Sequence, residues 1–175
     1  MDIFDTLELR WFIDDADGER AKAAREWFSD VEPEGKREDR YLLTDREDLG
    51  IKLREGKKLE TKYRLAVLGG GVERWRKLSL SVDDPDLEKH GTWVRIEKER
   101  RSRRHGGFNV EVTQLVVRAG NKTRRVVTIG FEGSGDEQAL LRVASETLAS
   151  AKGLHLATHE SAGYPRWLAR GTFEG

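Results

Sequence analysis

Two neighbouring segments of the chain alternate basic and apolar residues with the period of two that is typical of β-strands. As strands over 49–55 and 58–67, they place on one face the side chains of Lys52, Arg54, Lys62 and Arg64. The opposite face carries Ile51, Leu53, Leu59, Tyr63 and Leu65. A hairpin turn through residues 56–58 would set the two basic rows side by side, where like charges repel. The pattern therefore indicates either a solvated sheet face or a surface that receives an anion.

Six other segments have strand character, which gives eight candidate strands in all. The six cover residues 5–13, 40–44, 72–82, 92–103, 107–118 and 123–132. Glycine, asparagine or Asp-Pro turn residues separate most of them. The glycine triplet 69–71 lacks the Lys-Ser/Thr that follows a phosphate-binding loop, so we expect it to be a hairpin connection.

Two segments change to the spacing of helices. The first covers residues 17–30 and has Asp17 as its predicted N-cap. The second begins like a capping box, with Ser134 as N-cap and Glu137 three positions later. We expect this second helix to be stopped by Gly153.

Consecutive strands with only two helices predict an α+β fold built on an antiparallel sheet. A β-sandwich would need apolar residues on both facing surfaces and charges outside. Here the charged faces are long and recur from strand to strand, while the apolar faces are left for helices to cover. We therefore expect one domain over residues 1–175, an eight-stranded antiparallel β-barrel with a polar interior and helices packed outside.

Composition excludes several classes of protein. The chain balances 32 Lys and Arg residues against 32 Asp and Glu residues, so we expect neither nucleic acid nor a membrane surface as a partner. It has no cysteine, which excludes disulfides, thiolate catalysis and cysteine-bound zinc. The first residues do not resemble a signal peptide, and no run approaches the ~18 apolar residues of a membrane span, so we expect a cytoplasmic protein.

Six segments, in order along nearly the whole chain, resemble those of the CYTH domains, or triphosphate tunnel metalloenzymes. Residues 6–12 are similar to the opening Glu-x-Glu-x-Lys strand of that family, and residues 160–165 to its closing Ser-x-x-Tyr-Pro segment. Between them lie similar aromatic, basic and carboxylate-bearing segments at 40–42, 50–54, 60–62 and 128–132. The resemblance implies an eight-stranded tunnel that binds a small triphosphate or polyphosphate ligand and a divalent cation.

The resemblance also implies the residues of the site. Phosphates would be bound by Arg10, Lys52, Arg54, Lys62 and Arg64, because Arg and Lys donate hydrogen bonds to phosphate oxygens. Mg²⁺ or Mn²⁺ would be held by the candidate catalytic residues Glu8 and Glu132, and by Glu111. A metal ion that bridges phosphate oxygens offsets their charge and can position water for attack.

The strand over 92–103 leaves two alternatives open. The family pattern selects Lys98 and Arg100 as further phosphate ligands. Strict alternation instead predicts that the face without Val94 and Ile96 is turned toward the interior. That face carries Arg95, Glu97, Glu99 and Arg101. Both sets contain basic residues, so both predict an anion site.

The chain departs from the family in the half of the site that would hold the metal. Thr6 stands where the family has its first Glu, and Gly130 where the last strand can carry a second acidic residue. Because a Mg²⁺ site depends on one or two carboxylates together with substrate phosphates, these changes weaken it. Three functions follow for the same tunnel: a cation-dependent phosphohydrolase, a binding module for a polyphosphate or phosphorylated metabolite, or a structural protein whose interior charges only neutralise one another.

Overall fold

In a computed structural model, which describes residues 2–84, 86–171 and 173, eight strands close into an antiparallel barrel. The strands are β1 (Asp2–Asp14), β2 (Lys36–Leu42), β3 (Leu49–Arg54), β4 (Lys58–Val67), β5 (Glu73–Ser81), β6 (Trp93–His105), β7 (Phe108–Ala119) and β8 (Lys122–Gly133). Around the barrel they follow the order β1-β5-β4-β3-β2-β6-β7-β8. The predicted fold class is confirmed, and every predicted strand is present. The glycine triplet at 69–71 connects β4 to β5, as predicted.

In the described part of the chain, three α-helices accompany the barrel: α1 (Gly18–Trp27), α2 (Glu137–Leu148) and α3 (Tyr164–Arg170). The prediction that Ser134 caps α2 is wrong. Asp136 is the N-cap, and its carboxylate accepts a hydrogen bond from the backbone N–H of Ala139 at 2.8 Å. Asp17 does occupy the N-cap position of α1, but its side chain makes no capping hydrogen bond. The short helix α3 was not predicted.

One apolar core lies between the outer face of the barrel and the helices α1 and α2. On β1 it uses the residues that alternate outward, of which Leu9 is fully buried, and on β8 it uses Ile129 and Phe131. Phe28, just after the end of α1, and Leu140, within α2, pack onto these residues of β1 and β8. This is the helix cover that the sequence predicts for the apolar faces.

A second apolar cluster fills one end of the barrel interior. Val94 and Ile96 of β6 point inward there, and Tyr164 and Leu168 of α3 close the end. Aromatic rings complete the plug, since Phe12 of β1 stacks on Trp167 with centroids 4.3 Å apart. The interior is therefore apolar at one end and polar at the other, where the cavity opens.

The outer face of β4 departs from the expectation of a complete helix cover. Tyr63 and Leu65 are exposed there, as is Leu80 on the neighbouring β5. The two large helices pack against β1, β7 and β8 instead. Within the described ranges, no helix is long and apolar enough to cross a membrane; a cytoplasmic location stays a prediction.

Candidate anion-binding cavity

The polar half of the interior encloses a cavity of about 330 Å³, lined by nine basic and five acidic side chains. The basic ones are Arg10, Arg37, Lys52, Arg54, Lys58, Lys62, Lys77, Lys98 and Arg100. The acidic ones are Asp2, Glu8, Glu60, Glu111 and Glu132. Among the described residues positive charge is thus in excess on the cavity wall, even when the buried Asp39 beside Lys98 and Lys52 is included, although the chain as a whole is neutral.

Six of the eight basic residues named from the sequence line the cavity. They are Arg10, Lys52, Arg54, Lys62, Lys98 and Arg100. Arg64 shares their face of β4 but donates to Glu73 at 2.6 Å and does not reach the cavity. Arg95 is exposed on the outer face of β6.

The register of β6 decides between the two sequence alternatives. Lys98 and Arg100 point inward, and the placement of Arg95, Glu97, Glu99 and Arg101 inside the barrel is wrong. The error came from treating Val94 and Ile96 as outward residues. They face the interior too, because its plugged end is apolar.

The hairpin of β3 and β4 does not pair basic residues in the way the sequence suggested. Lys52 lies opposite Glu60, with its Nζ 2.7 Å from that carboxylate, and Lys62 lies opposite Gly50. Only Arg54 faces another basic residue, Lys58, near the end of the hairpin. The like-charge repulsion expected between the two rows is therefore partly offset by Glu60.

The three candidate metal ligands lie on adjacent strands. Glu8 of β1 is directly opposite Glu132 of β8, and Glu111 of β7 is opposite Gly130 of β8. Glu8 and Glu111 are almost completely buried. The sequence thus brings carboxylates to one wall of the cavity, which we call the carboxylate group: Glu8, Glu111 and Glu132.

The side chain of Arg10 occupies the space between these carboxylates. Its Nε donates to Glu8 at 2.6 Å, and its Nη2 lies 2.8 Å from Glu111. A third hydrogen bond runs from Nη1 to Thr128 at 3.1 Å. Burial alone would lower the pKa of Arg10, but the charges of Glu111 and Glu8 raise it well above its ordinary value.

Other oxygens of these carboxylates also have basic partners. Lys62 Nζ lies 2.8 Å from the second oxygen of Glu8, and Lys77 pairs with Glu132. Burial would raise the pKa of Glu8, but Lys62 and Arg10 hold it well below the ordinary range. Among the described residues, no group of three or more His, Asp or Glu side chains has metal-binding geometry. The residues in this arrangement do not fit Mg²⁺ or Mn²⁺.

Several charged residues of the interior were missed by the sequence reasoning. Asp39 of β2 is fully buried, with Lys98 Nζ at 2.9 Å and Lys52 Nζ at 3.7 Å from its carboxylate. The predicted β2 began one residue too late to include it. Lys77 lies on the inward face of β5, and its period-two spacing from Trp75 was the available signal.

Lys98 and Lys52 lie side by side in the interior, beside Asp39. Lys98 donates to the Tyr41 hydroxyl at 2.6 Å, and its Nζ lies 4.2 Å from the centroid of the Tyr164 ring. Burial, only partly opposed by Asp39, lowers the pKa of Lys98 to about 8. Burial and the charge of Lys98 likewise lower the pKa of Lys52. Both ammonium groups are therefore held at an electrostatic cost.

The closed eight-stranded antiparallel barrel is the fold that the sequence resemblance implies. No protein-family model and no curated protein matches the chain. The adenylyl cyclase candidate HpAC1 from Hippeastrum, described as having a dominant triphosphatase activity, superposes with a TM-score of 0.53 at 12% identity, over 83% of this chain and 87% of that one.

Two further solved structures are similar at lower scores. An adenylate cyclase candidate from Bacillus halodurans gives a TM-score of 0.49 at 11% identity, over 87% of this chain and 93% of that one. The S. pombe RNA triphosphatase Pct1, in complex with the Spt5 CTD, gives 0.43 at 13% identity, over 89% and 86%. At 12% identity, the likeness to HpAC1 concerns the fold alone.

Proposed function

We propose that this protein binds a small polyphosphate anion, such as a triphosphate or a phosphorylated metabolite, inside the barrel. The observation that carries the proposal is the charge of the cavity wall, with nine basic side chains against five acidic ones in about 330 Å³. Polyphosphates offer many oxygens close together, and Arg and Lys are the side chains that donate to them.

The energetic state of Lys52 and Lys98 supports the same proposal. Their lowered pKa values mean that burial disfavours their positive charge more than Asp39 and Glu60 favour it. A polyanion within reach of these amines would favour the charged forms. Part of the binding free energy would then come from relief of a cost already present in the free protein.

The shape of the interior favours entry of a chain-like anion by its end. The apolar plug around Tyr164 closes the deep end of the cavity. Phe4, Arg54 and Arg100, which are partly exposed, lie at the open end. A terminal phosphate would reach Lys98 at the deep end, beside Tyr164, while any organic part of the molecule would stay near Phe4.

Isothermal titration calorimetry with inorganic triphosphate tests the proposal. We expect binding that weakens as salt is added, and a loss of about 10- to 100-fold in affinity for Lys52→Met, as one charge-assisted hydrogen bond is removed. The matched control is Arg95→Ala, which removes a basic residue from the outer face and should bind like the wild type. Absence of binding, or equal loss in both variants, would contradict the proposal.

Hydrolysis of the bound anion with a divalent cation is a second candidate function. The direct pairing of Glu8 with Glu132 across β1 and β8 favours it. The basic side chains that already pair with both carboxylates argue against it, because a cation would have to displace them. Release of phosphate from inorganic triphosphate or nucleotides with Mg²⁺ or Mn²⁺, abolished in Glu132→Gln, would establish this function. Binding without turnover under the same conditions would exclude it.

A further inference from the structure

We infer that the guanidinium of Arg10 is a resident cation that takes the place of a divalent metal, so that the cavity binds its anion in metal-free form. The part that concerns the anion rests on the proposed function. The part that concerns the metal rests on the contacts of Arg10 and of the three carboxylates, and it needs no bound anion.

The first observation is that the guanidinium is fixed on both sides and buried. Arg10 is 3% exposed, and it bridges Glu8 and Glu111 with contacts of 2.6 and 2.8 Å. Thr128 accepts a further hydrogen bond from it. The backbone is fixed as well, since Arg10 N–H donates to the Ser161 hydroxyl at 3.0 Å. A cation with this many fixed partners is part of the folded structure.

The second observation is the glycine beneath the guanidinium. A Cβ added at Gly130 would lie 2.6 Å from Nη2 and 2.7 Å from Cζ of Arg10. At such distances the guanidinium would have to move, so glycine at this position makes room for it where it lies. Gly130 also lies opposite both Arg10 and Glu111 in the sheet, between the neighbouring carboxylates. The position that a shared metal ion would need is filled by a side chain.

The third observation is the distribution of the other charges. The oxygen of Glu8 that Arg10 does not contact accepts from Lys62. Glu132 pairs with Lys77, and the second oxygen of Glu111 lies 3.3 Å from Arg100. A divalent ion would have to displace several of these partners at once. A guanidinium also has no open coordination position and holds no activated water, so it supplies charge without the chemistry of a metal.

The inference predicts how metals affect the wild-type protein. Mn²⁺ alone, followed by electron paramagnetic resonance, should not bind to the wild type, because the carboxylates are occupied by basic side chains. Inorganic triphosphate should bind at least as tightly in EDTA as with Mg²⁺, which complexes the free anion. Stoichiometric Mn²⁺ binding, or triphosphate binding that requires Mg²⁺, would overturn the inference.

Variants test whether Arg10 is the reason that the wild type binds no metal and needs none for the anion. Arg10→Ala should weaken triphosphate binding in EDTA by about 10- to 100-fold, and Mg²⁺ should restore part of the loss. The same variant should gain a bound Mn²⁺. The matched control Arg64→Ala breaks another interior pair, with Glu73, but opens no space among the three carboxylates, so it should gain none. A folded Arg10→Ala protein that gains neither Mn²⁺ nor rescue by Mg²⁺ would refute the inference.

Gly130→Ala is the second variant, in case Arg10→Ala does not fold. Its methyl group should displace the guanidinium from Glu8 and Glu111 and weaken triphosphate binding in EDTA, and unchanged binding would count against the inference. The Mn²⁺ measurements need no triphosphate. If the wild type bound no triphosphate, the proposed function would fail, whereas the inference about Arg10 would still be decided by Mn²⁺.

Discussion

Two groups of charged side chains line the cavity, and they differ in how their charge is balanced. In the carboxylate group, Glu8 and Glu111 have pKa values below the ordinary range, because Lys62, Arg10 and Arg100 more than offset their burial. In the lysine group, defined as Lys52 and Lys98, the effect of burial exceeds the attraction of Asp39, so the pKa values of both lysines are lowered.

This difference separates structure from function within one cavity. The carboxylate group is stabilised by its partners within the chain, so its charges contribute to the folded state. The lysine group carries positive charge that the chain balances only in part. The positive charge that a bound anion would newly balance therefore lies in the lysine group and on Lys62, whose pKa burial also lowers, whereas the charge that Arg10 would offer an anion is already balanced by the carboxylate group.

The largest effect that would test the comparison is the loss of a carboxylate. We expect Glu8→Gln to lower the free energy of unfolding by about 3–5 kcal/mol, because Arg10 loses a buried partner and Lys62 loses its own. Urea denaturation measures this change. Glu55→Gln is the control, since its exposed carboxylate should contribute no more than about 1 kcal/mol. A loss near that of the control would show that the carboxylate group is not structurally required.

A pH titration tests the lysine group. Lys98 in the free protein should lose its proton near pH 8 instead of 10.5. A bound polyanion favours the charged amine and raises this pKa, so binding takes up a proton above pH 8. Affinity for triphosphate should then fall by up to about tenfold per pH unit above that value.

The sign for stability is opposite in the ligand-free protein. The unfolded chain keeps the proton of Lys98 to higher pH than the folded chain does. Between pH 8 and 10.5, the contribution of Lys98 to the free energy of unfolding therefore rises with pH. Calorimetry at several pH values, with Lys98→Arg as the permanently charged comparison, checks the binding effect. An affinity with the same pH dependence in both proteins would contradict the assignment to Lys98.

The two groups were also unequally predictable from the sequence. Period-two alternation identified all eight strands and put Lys52 and Lys62 on one face, because alternation depends only on local geometry. The role of Arg10 could not be read in this way. It depends on the register of β1 against β8, which sets the side chain above Gly130, and register follows from contacts between distant parts of the chain.

The same limit explains the misassigned residues of β6. Alternation gives two faces but does not say which is inside, and in this barrel the interior is apolar at one end and charged at the other. Val94 and Lys98 therefore share a face although their chemistry is opposite. Only the plug formed around Tyr164, contributed by residues far along the chain, shows why both belong inside.

The smallest expected effect is the change in stability caused by Lys52→Met, and it is the most direct test of the comparison. Asp39 would keep Lys98 and Arg37, and Glu60 would keep Arg54, so no acidic partner is left alone. We expect the free energy of unfolding to change by less than about 1 kcal/mol, because the removed charge was already disfavoured by burial. Urea denaturation beside Glu8→Gln measures the contrast. A destabilisation as large as that of Glu8→Gln would mean that both groups serve the fold equally, and anion binding could no longer be assigned to the lysine group on grounds of charge balance.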